Sequence, residues 1–277
     1  MSTSTPLSPN RLHRLPMGLA FGVTDIGPVR SNNEDNFLID EALGLVMVAD
    51  GMGGHAAGDV ASAGVLNALR EHLRADVTAI GGPTQELYAP DPDATWSDPT
   101  MRAVGLLHDA IEVANRKLYA QNVARNCRDG EGMGATLTGF WRPGPDAPLT
   151  LFHVGDSRLY RLRAGVLEQL TRDQTLYQQA VDAGIIRDLP ARNVLLQAMG
   201  PAPQVAPEVR TQLAEPGDLL MLCSDGLHGS VPHGDIEAEL AAAGAETLEA
   251  ACRQLVAMAK DCGGRDNITV VLALYHG

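Results

Sequence analysis

Three aspartates stand beside short apolar runs and could bind hard cations. Asp50 and Asp225 each follow such a run and precede a glycine, and Asp266 comes just before the last apolar run. Divalent ions such as Mg²⁺ prefer oxygen ligands, take few carboxylates and keep several waters. Three aspartates from separate strand ends, with a backbone carbonyl at a glycine, would suit two such ions. An Asp-Gly pair is also a common turn, so the spacing alone leaves a purely structural role open.

A glycine-rich turn adjoins the first of these aspartates. Gly51, Gly53 and Gly54 allow the chain to turn tightly and to approach a ligand closely, and His55 follows them. A buried strand that ends on a carboxylate is costly unless a cation lies beside it. The turn therefore favours a binding site, although a strand followed by a glycine-rich turn is the simpler interpretation.

A charged stretch lies upstream of that turn, between two short apolar runs. It contains Arg30, Glu34 and Asp35. The alternative interpretation of this stretch is a solvated loop. Exposed strand ends seldom need so many charges, so the stretch favours a polar site.

The placement of the four cysteines disfavours a zinc site. They form no C-x-x-C pair, and one of them stands within an apolar run. They are expected to be free thiols, mostly buried, in a reducing compartment, which predicts a cytoplasmic location. The cysteines are Cys127, Cys223, Cys252 and Cys262.

The composition is typical of a globular protein with an acidic surface. The chain has 277 residues, 45% of them hydrophobic, and a net charge of −13. This charge argues against nucleic acid or an anionic membrane as the main partner. No apolar run approaches the ~20 residues that span a bilayer, so no membrane span is expected. Residues 1–16 contain no signal-peptide core and are expected to form a flexible N-terminal arm.

Hydrophobic periodicity predicts two long helices followed by a meander of strands. One apolar stripe with helical spacing begins near Asp59, and another extends over 101–118. From residue 135 the period changes to two, and short strands alternate with turns, which indicates antiparallel pairing. A polar surface loop over 76–99 is expected between the two helices.

The second half of the chain is predicted to complete a layered α+β fold. Residues 171–200 interrupt the strands with polar and helical sequence, including a helix over 175–183, and are expected to form a mobile flap. A buried strand at 219–223 and two helices near 235–243 and 246–260 precede the last strand. Strands grouped together with helices around them predict a single α+β sandwich domain over 17–277.

Six short motifs occur in a fixed order, and together they form a specific signal although each is weak alone. They are Arg30-Ser31-Asn32-Asn33-Glu34-Asp35, Asp50-Gly51-Met52-Gly53-Gly54-His55, Gly132-Met133-Gly134-Ala135-Thr136, Gly155-Asp156-Ser157-Arg158, Ser224-Asp225-Gly226 and Gly264-Arg265-Asp266-Asn267. With these motifs the chain resembles the metal-dependent serine/threonine protein phosphatases of type 2C in their bacterial form, from about residue 20 to residue 275.

The resemblance implies a four-layer α/β/β/α sandwich, in which two antiparallel sheets stack face to face between helices. It also implies a centre of two Mn²⁺ or Mg²⁺ ions at one edge of the sheets, with a third ion in some bacterial members. The implied activity is direct hydrolysis of phosphoserine and phosphothreonine in proteins by a metal-activated water. A cognate Ser/Thr protein kinase is the implied partner, and a monomer is expected.

Four metal ligands carry over from the family onto this chain. Asp50 would bridge the two ions, and the Gly51 carbonyl would bind one of them. Asp225 and Asp266 would bind the other.

Further roles carry over onto the charged stretch and the glycine-rich turn. Glu34, together with Asp35, would hold metal-bound waters, and Arg30 would bind the substrate phosphate. His55 falls on the histidine assigned as the general acid. The turn at 155–158 is interpreted as a structural hairpin.

One position departs from the family pattern. The third ion is held in part by an Asp three residues before a glycine of the Met-Gly turn, and here Glu131 stands in that region with Asp129 nearby. Glutamate still offers oxygen ligands but with a longer reach, so Glu131 is the candidate ligand of a third ion.

Two other functions remain open from the sequence. A catalytically inactive family member could act as a binding module, but such a protein would be expected to lack the three aspartates. A hydrolase of small phosphoesters would use the same residues. The cysteine-dependent phosphatases are disfavoured, because no cysteine begins a C-x5-R loop.

Overall fold

The computed structural model describes residues 7–53, 57–79, 99–144 and 147–276. Thirteen strands and six helices are defined in these ranges. The strands are β1 (His13–Leu15), β2 (Gly18–Asp25), β3 (Asn36–Asp40), β4 (Leu45–Ala49), β5 (Gly51–Met52), β6 (Gly134–Ala135), β7 (Leu137–Trp141), β8 (Leu149–Val154), β9 (Arg158–Arg163), β10 (Val166–Gln169), β11 (Glu208–Gln212), β12 (Leu219–Cys223) and β13 (Ile268–Tyr275). The helices are α1 (Gly58–Ala79), α2 (Pro99–Ala124), α3 (Leu176–Asp182), α4 (Asp225–His228), α5 (His233–Ala241) and α6 (Leu248–Asp261).

Two antiparallel sheets form the centre of the fold. The first has the order β1-β2-β13-β12-β9-β10, and the second has the order β11-β8-β7-β4-β3. The short strands β5 and β6 pair separately beside the second sheet. The meander predicted from the period-two pattern is confirmed for the pairs β7–β8 and β9–β10, but not between them, because β8 and β9 lie in different sheets.

Alternating side chains along the central strands divide the core into three layers. In β4, Val46 lies between the two sheets, whereas Met47 points to the layer under α1 and α2. In β12, Leu220 lies between the sheets, whereas Met221 contacts the layer under α5 and α6. Because successive side chains of a strand point to opposite faces, a strand covered on both faces is apolar throughout. The four-layer α/β/β/α sandwich is confirmed.

The strand register brings several loops to the same edge of the sandwich. Ala49, at the end of β4, pairs with Asn36 at the start of β3. Ile268, at the start of β13, pairs with Asp25, while Cys223 at the end of β12 pairs with Arg158. The loops after β2, β4, β8 and β12 and the loop before β13 therefore meet at one edge.

The N-terminal segment differs from the flexible arm expected over residues 1–16. His13–Leu15 forms β1 and pairs with β2 at the edge of the first sheet. His13 is buried and bonds to Glu41, and the Ser8 hydroxyl accepts a hydrogen bond from the Ile39 N–H at 2.8 Å. A three-residue strand with one exposed side chain leaves too short a pattern to predict. Residues 1–6 lie outside the described ranges.

Other elements match their predictions with small differences. The helix α1 continues to Ala79, so the loop expected over 76–99 begins later, and residues 80–98 lie outside the described part of the chain. The helix expected over 175–183 is α3, whose Thr175 hydroxyl accepts from the Gln178 N–H at 3.1 Å. The strand β11 and the one-turn helix α4 were not predicted. Among the described residues, no helix is both long and apolar enough to cross a bilayer.

Candidate metal centre

A cavity of about 300 Å³ lies at the edge where these loops meet. Five of the thirteen residues in its wall carry carboxylates, and the wall also includes one arginine and part of the glycine-rich turn. The predicted site residues that line it are Arg30, Glu34, Asp50, Gly51, Asp225 and Asp266. Three residues with a predicted role are not among them, of which Asp35 lies behind the wall. His55 lies outside the described residues, and Glu131 is exposed on a separate turn, where its carboxylate accepts from the Arg128 N–H at 3.3 Å.

Asp50 is held in place by two other motifs. Its N–H donates to the Thr136 hydroxyl at 2.9 Å, and its carbonyl accepts from the Thr136 N–H at 2.8 Å. The Thr136 hydroxyl in turn shares a hydrogen bond of 2.7 Å with the Ser157 hydroxyl. The two motifs around residues 136 and 157 therefore fix the backbone from which the Asp50 carboxylate projects.

Gly51 and Gly58 allow three backbone segments to approach within contact distance. A Cβ added at Gly51 would lie 2.0 Å from the Gly58 carbonyl oxygen and 2.7 Å from the Glu34 carbonyl oxygen. A Cβ added at Gly58 would lie 2.6 Å from Cδ of the Glu34 carboxylate. Both glycines are needed because no side chain fits in these spaces. Burial raises the pKa of Glu34, against the opposing effect of the Gly58 N–H.

Asp35 supports the site from behind. It is buried, and its Oδ2 accepts from the Ser224 hydroxyl at 2.6 Å and from the Thr269 hydroxyl at 2.7 Å. Burial raises the pKa of Asp35 to about 7, although the two hydroxyls oppose this. The cavity wall does not include Asp35. Its contacts position Ser224, the residue before Asp225, and so differ from the water-holding role that the resemblance implies.

Asn267 connects the charged stretch to the start of β13. Its side-chain amide donates to the Ile26 and Asn32 carbonyls at 3.0 and 2.9 Å, and its Oδ1 accepts from the Glu34 N–H at 2.8 Å. Next to it, Asp266 accepts from Nη2 of Arg30 at 2.6 Å. The sequence contained the Asp-Asn pair, but only the fold shows that the amide holds the upstream loop.

The electrostatics of the cavity favour a cation. Burial raises the pKa of Asp225 to about 6, and the Asp266 carboxylate adds to this effect. Burial and neighbouring aspartates also raise the pKa of Asp50. Oδ1 of Asp225 is buried without a hydrogen-bond partner. A buried acceptor beside like charges is costly, and a hard divalent cation offers the coordination that this oxygen lacks. The chemistry of these oxygens therefore suits hard cations, although no three His, Cys, Asp or Glu side chains of the described residues already converge as a metal-ligand cluster.

Asp156 belongs to the cavity, although its motif was interpreted as a structural hairpin. It lies in the turn between β8 and β9, is buried, and lines the wall beside Asp225. Burial, with the Asp225 carboxylate, raises the pKa of Asp156 to about 7. The hairpin interpretation is wrong, because β8 and β9 belong to different sheets and the turn crosses from one sheet to the other. Its aspartate is an additional acidic group at the site.

A two-sheet sandwich with a carboxylate-lined cavity at one sheet edge defines the class of protein. The chain belongs to the protein phosphatase 2C family, whose model matches residues 29–263. This finding agrees with the resemblance seen in the six motifs.

Named relatives and solved structures support the same assignment. The chain is 37% identical over 255 residues to the serine/threonine protein phosphatase PstP of Mycobacterium tuberculosis, covering 90% of this chain but only 43% of PstP. It is 34% identical over 259 residues to the serine/threonine phosphatase stp of Listeria monocytogenes, covering 90% of this chain and 92% of stp. A crystal structure of the PstP catalytic domain in complex with two manganese ions is 34% identical, with a TM-score of 0.73 over 93% of this chain and 98% of that one.

Proposed function

We propose that this protein is a metal-dependent serine/threonine protein phosphatase that uses two Mn²⁺ or Mg²⁺ ions. The observation that carries the proposal is the carboxylate-lined cavity with the unpartnered oxygen of Asp225. Membership of the family and similarity to the manganese-bound PstP domain support it.

The ligands of the two ions would come from the cavity wall. Asp50 would bridge them, the Gly51 carbonyl would bind one, and Asp225 and Asp266 would bind the other. Glu34 would hold waters of hydration. These ions supply a nucleophile at neutral pH and neutralise charge on the transferred phosphoryl group. Glu131 does not line this cavity, so it would hold a third ion outside the two-ion centre, as the resemblance implies.

The chain's own residues would bind the phosphate and deliver a proton. Arg30 is half-exposed at the cavity rim, and its guanidinium can contact an incoming phosphate with two parallel hydrogen bonds. Serine and threonine alkoxides are poor leaving groups, so a proton must arrive as the P–O bond breaks. We propose that His55 supplies it, as the family resemblance implies.

The Arg30→Ala variant is expected to have a KM for a phosphothreonine peptide about tenfold or more above wild type, with bound Mn²⁺ retained. The loss corresponds to about 1.5–3 kcal/mol for a hydrogen bond to a charged group. Steady-state kinetics with calorimetric metal titration would check this. Arg11→Ala is the matched control, because Arg11 is also exposed and paired with an acid, Glu41, but does not line the cavity. An unchanged KM would show that Arg30 is only a loop residue.

The His55→Ala variant is expected to lose phosphothreonine turnover far more than p-nitrophenyl phosphate turnover. A general acid contributes roughly 10²–10⁴-fold, and a phenolate leaving group needs little protonation. The comparison is made at equal Mn²⁺ occupancy, with the ratio of the two kcat values as the readout. Equal losses on both substrates would instead indicate a role in placing the metals or the loop.

A substrate panel separates this function from its alternatives. The purified chain with Mn²⁺ would be given a phosphothreonine peptide, a phosphotyrosine peptide and a nucleoside monophosphate. The proposal predicts the highest kcat/KM on the phosphothreonine peptide. A preference for the nucleotide would indicate a hydrolase of small phosphoesters, and tight peptide binding without phosphate release would indicate a binding module.

The cellular setting is proposed on the same basis. Four free cysteines, two of them buried, fit a reducing compartment such as the cytoplasm. The partner would be a Ser/Thr protein kinase with shared substrates. We propose a monomer, because the cavity is built from one chain, and light scattering at a mass above 29.3 kDa would contradict this.

A further inference from the structure

A second cavity of about 220 Å³ adjoins the metal centre. Asp156, Asn193 and Asp225 line both cavities, so the two share a wall. One side of the second cavity comes from the sheets, and the other side comes from residues 171–200, the flap. A group bound in the metal centre would therefore have this cavity as its immediate neighbour.

Within the described part of the chain, the wall that comes from the sheets holds no free basic side chain. Arg158 forms two hydrogen bonds with the Asp173 carboxylate, at 2.7 and 2.6 Å. His228 shares a hydrogen bond of 3.0 Å with the Asp156 carbonyl, and burial lowers the pKa of His228 to about 4. Arg158 is therefore paired and His228 is neutral, so neither offers a free positive charge to a ligand, whereas Asp156 and Asp225 make this wall acidic.

The wall that comes from the flap carries an arginine without an acidic partner. The Arg192 guanidinium lies 4.1 Å from the centre of the Tyr177 ring and donates to the Tyr177 hydroxyl at 2.8 Å. Among the residues that the structure describes, it makes no ion pair with a carboxylate. Arg30 and Arg158, the arginines nearest to it in the two cavity walls, are both paired with aspartates. Arg192 is thus oriented by an aromatic ring and keeps its positive charge available.

The flap backbone fixes the position of this arginine. Thr175 and Leu195 form an antiparallel bridge, the Leu176 N–H donates to the Val194 carbonyl at 2.9 Å, and the Leu196 N–H donates to the Gln174 carbonyl at 2.8 Å. Arg192 lies two residues before this paired segment along the chain. The cation therefore stands at a defined place on the rim rather than on a free chain.

We propose that the second cavity binds the side chain of a substrate residue close in sequence to the phosphorylated one, and that Arg192 selects an anionic group there. This inference rests on the proposed function. Extended chain advances ~3.3–3.6 Å per residue, so a residue within about three positions reaches an adjoining cavity. A guanidinium binds carboxylates and phosphates through two hydrogen bonds, so either Asp/Glu or a second phosphorylated residue has the required chemistry.

The test is a scan of phosphothreonine peptides with the Mn²⁺-loaded protein. Asp or its neutral analogue Asn would be placed at each of three positions on either side of the phosphothreonine. The expected result is one position where Asp raises kcat/KM about tenfold over Asn. The Arg192→Ala variant should bring that ratio close to one, and Arg192→Lys should keep part of it. Arg187→Ala is the matched control, because Arg187 is an exposed flap arginine that lines neither cavity.

The outcomes distinguish the possible failures. A purely structural role of Arg192 would lower kcat/KM on all peptides alike and leave the Asp/Asn ratio unchanged, which would overturn the inference. Equal rates of the wild-type protein on all peptides would also overturn the inference, although the proposed function would then stand. Absence of hydrolysis of every peptide would overturn both. A second phosphothreonine at the selected position, compared with Asp, identifies whether the phosphoryl or the carboxylate group is the better ligand.

Discussion

The Asp225→Asn variant is expected to lose Mn²⁺-dependent turnover and, in chelator at neutral pH, to be more stable than the wild-type protein. Burial and the Asp266 carboxylate raise the pKa of Asp225 to about 6. Ionisation of this group therefore destabilises the metal-free fold. Asparagine has the same shape without the charge, so it removes that penalty while it removes a proposed metal ligand.

The pH dependence of this effect has a definite sign. The folded-state pKa of Asp225 lies above the unfolded value, so the folded protein binds the proton more tightly. The penalty is full above about pH 6 and disappears as the pH falls towards 4. A pKa shift of this size corresponds to about 3 kcal/mol, or roughly 6–12 °C in Tm for a chain of this length. The extra stability of the variant over the wild-type protein should thus shrink as the pH falls from neutral to about 5.

Calorimetry in EDTA measures the stability difference, and titration with Mn²⁺ measures the lost binding. Asp109→Asn is the matched control, because Asp109 is exposed on α2 away from the cavity, and it should change neither quantity. Unchanged affinity for Mn²⁺ in Asp225→Asn would refute the ligand assignment. A Tm equal to that of wild type at both pH values would refute the electrostatic argument.

The Gly51→Ala variant is expected to lose about 3 kcal/mol or more of stability together with its activity. The added methyl group would lie 2.0 Å from the Gly58 carbonyl oxygen, and both partners are backbone, so neither can move aside by rotating a side chain. Separating the two segments would displace the Gly51 carbonyl, the proposed metal ligand, and the start of α1. Denaturant unfolding and Mn²⁺ titration would measure the two losses.

Gly64→Ala provides the control for this change. Gly64 lies within α1, and an added Cβ there has no neighbour within 4 Å. Alanine favours a helix over glycine by about 1 kcal/mol, so this variant should be slightly more stable than wild type and fully active. Equal behaviour of the two alanine variants would contradict the close packing described at Gly51.

The sequence predicts the central strands and the acidic residues of the cavity because both carry local patterns. The run Leu45–Ala49 is apolar throughout, and the structure buries all five residues as β4 between two layers. The aspartates at its end and at the end of β12 are recognisable by the glycine that follows. In contrast, β1 has three residues with alternating burial, which is too little pattern to distinguish from a loop.

The contacts that support the site depend on the tertiary fold and have no local signal. Thr136 bonds to Asp50 and Ser157 bonds to Thr136, although the three residues come from different loops. The turn sequence around Asp156 is the same whether this residue caps a hairpin or faces a cavity, so it does not distinguish the two cases. Arg192 is positioned only through the backbone bridge between Thr175 and Leu195, which are twenty residues apart along the chain. No periodicity or composition within a short window could indicate these partners.

The central claim is that this carboxylate-lined cavity hydrolyses phosphothreonine through two bound divalent ions. The most direct test is phosphate release from a phosphothreonine peptide by the metal-stripped protein while Mn²⁺ is added back. We expect no release in EDTA and a return of activity that saturates when two ions are bound per chain. Full release in excess chelator, or no release from a protein that has bound two Mn²⁺ ions, would contradict the claim.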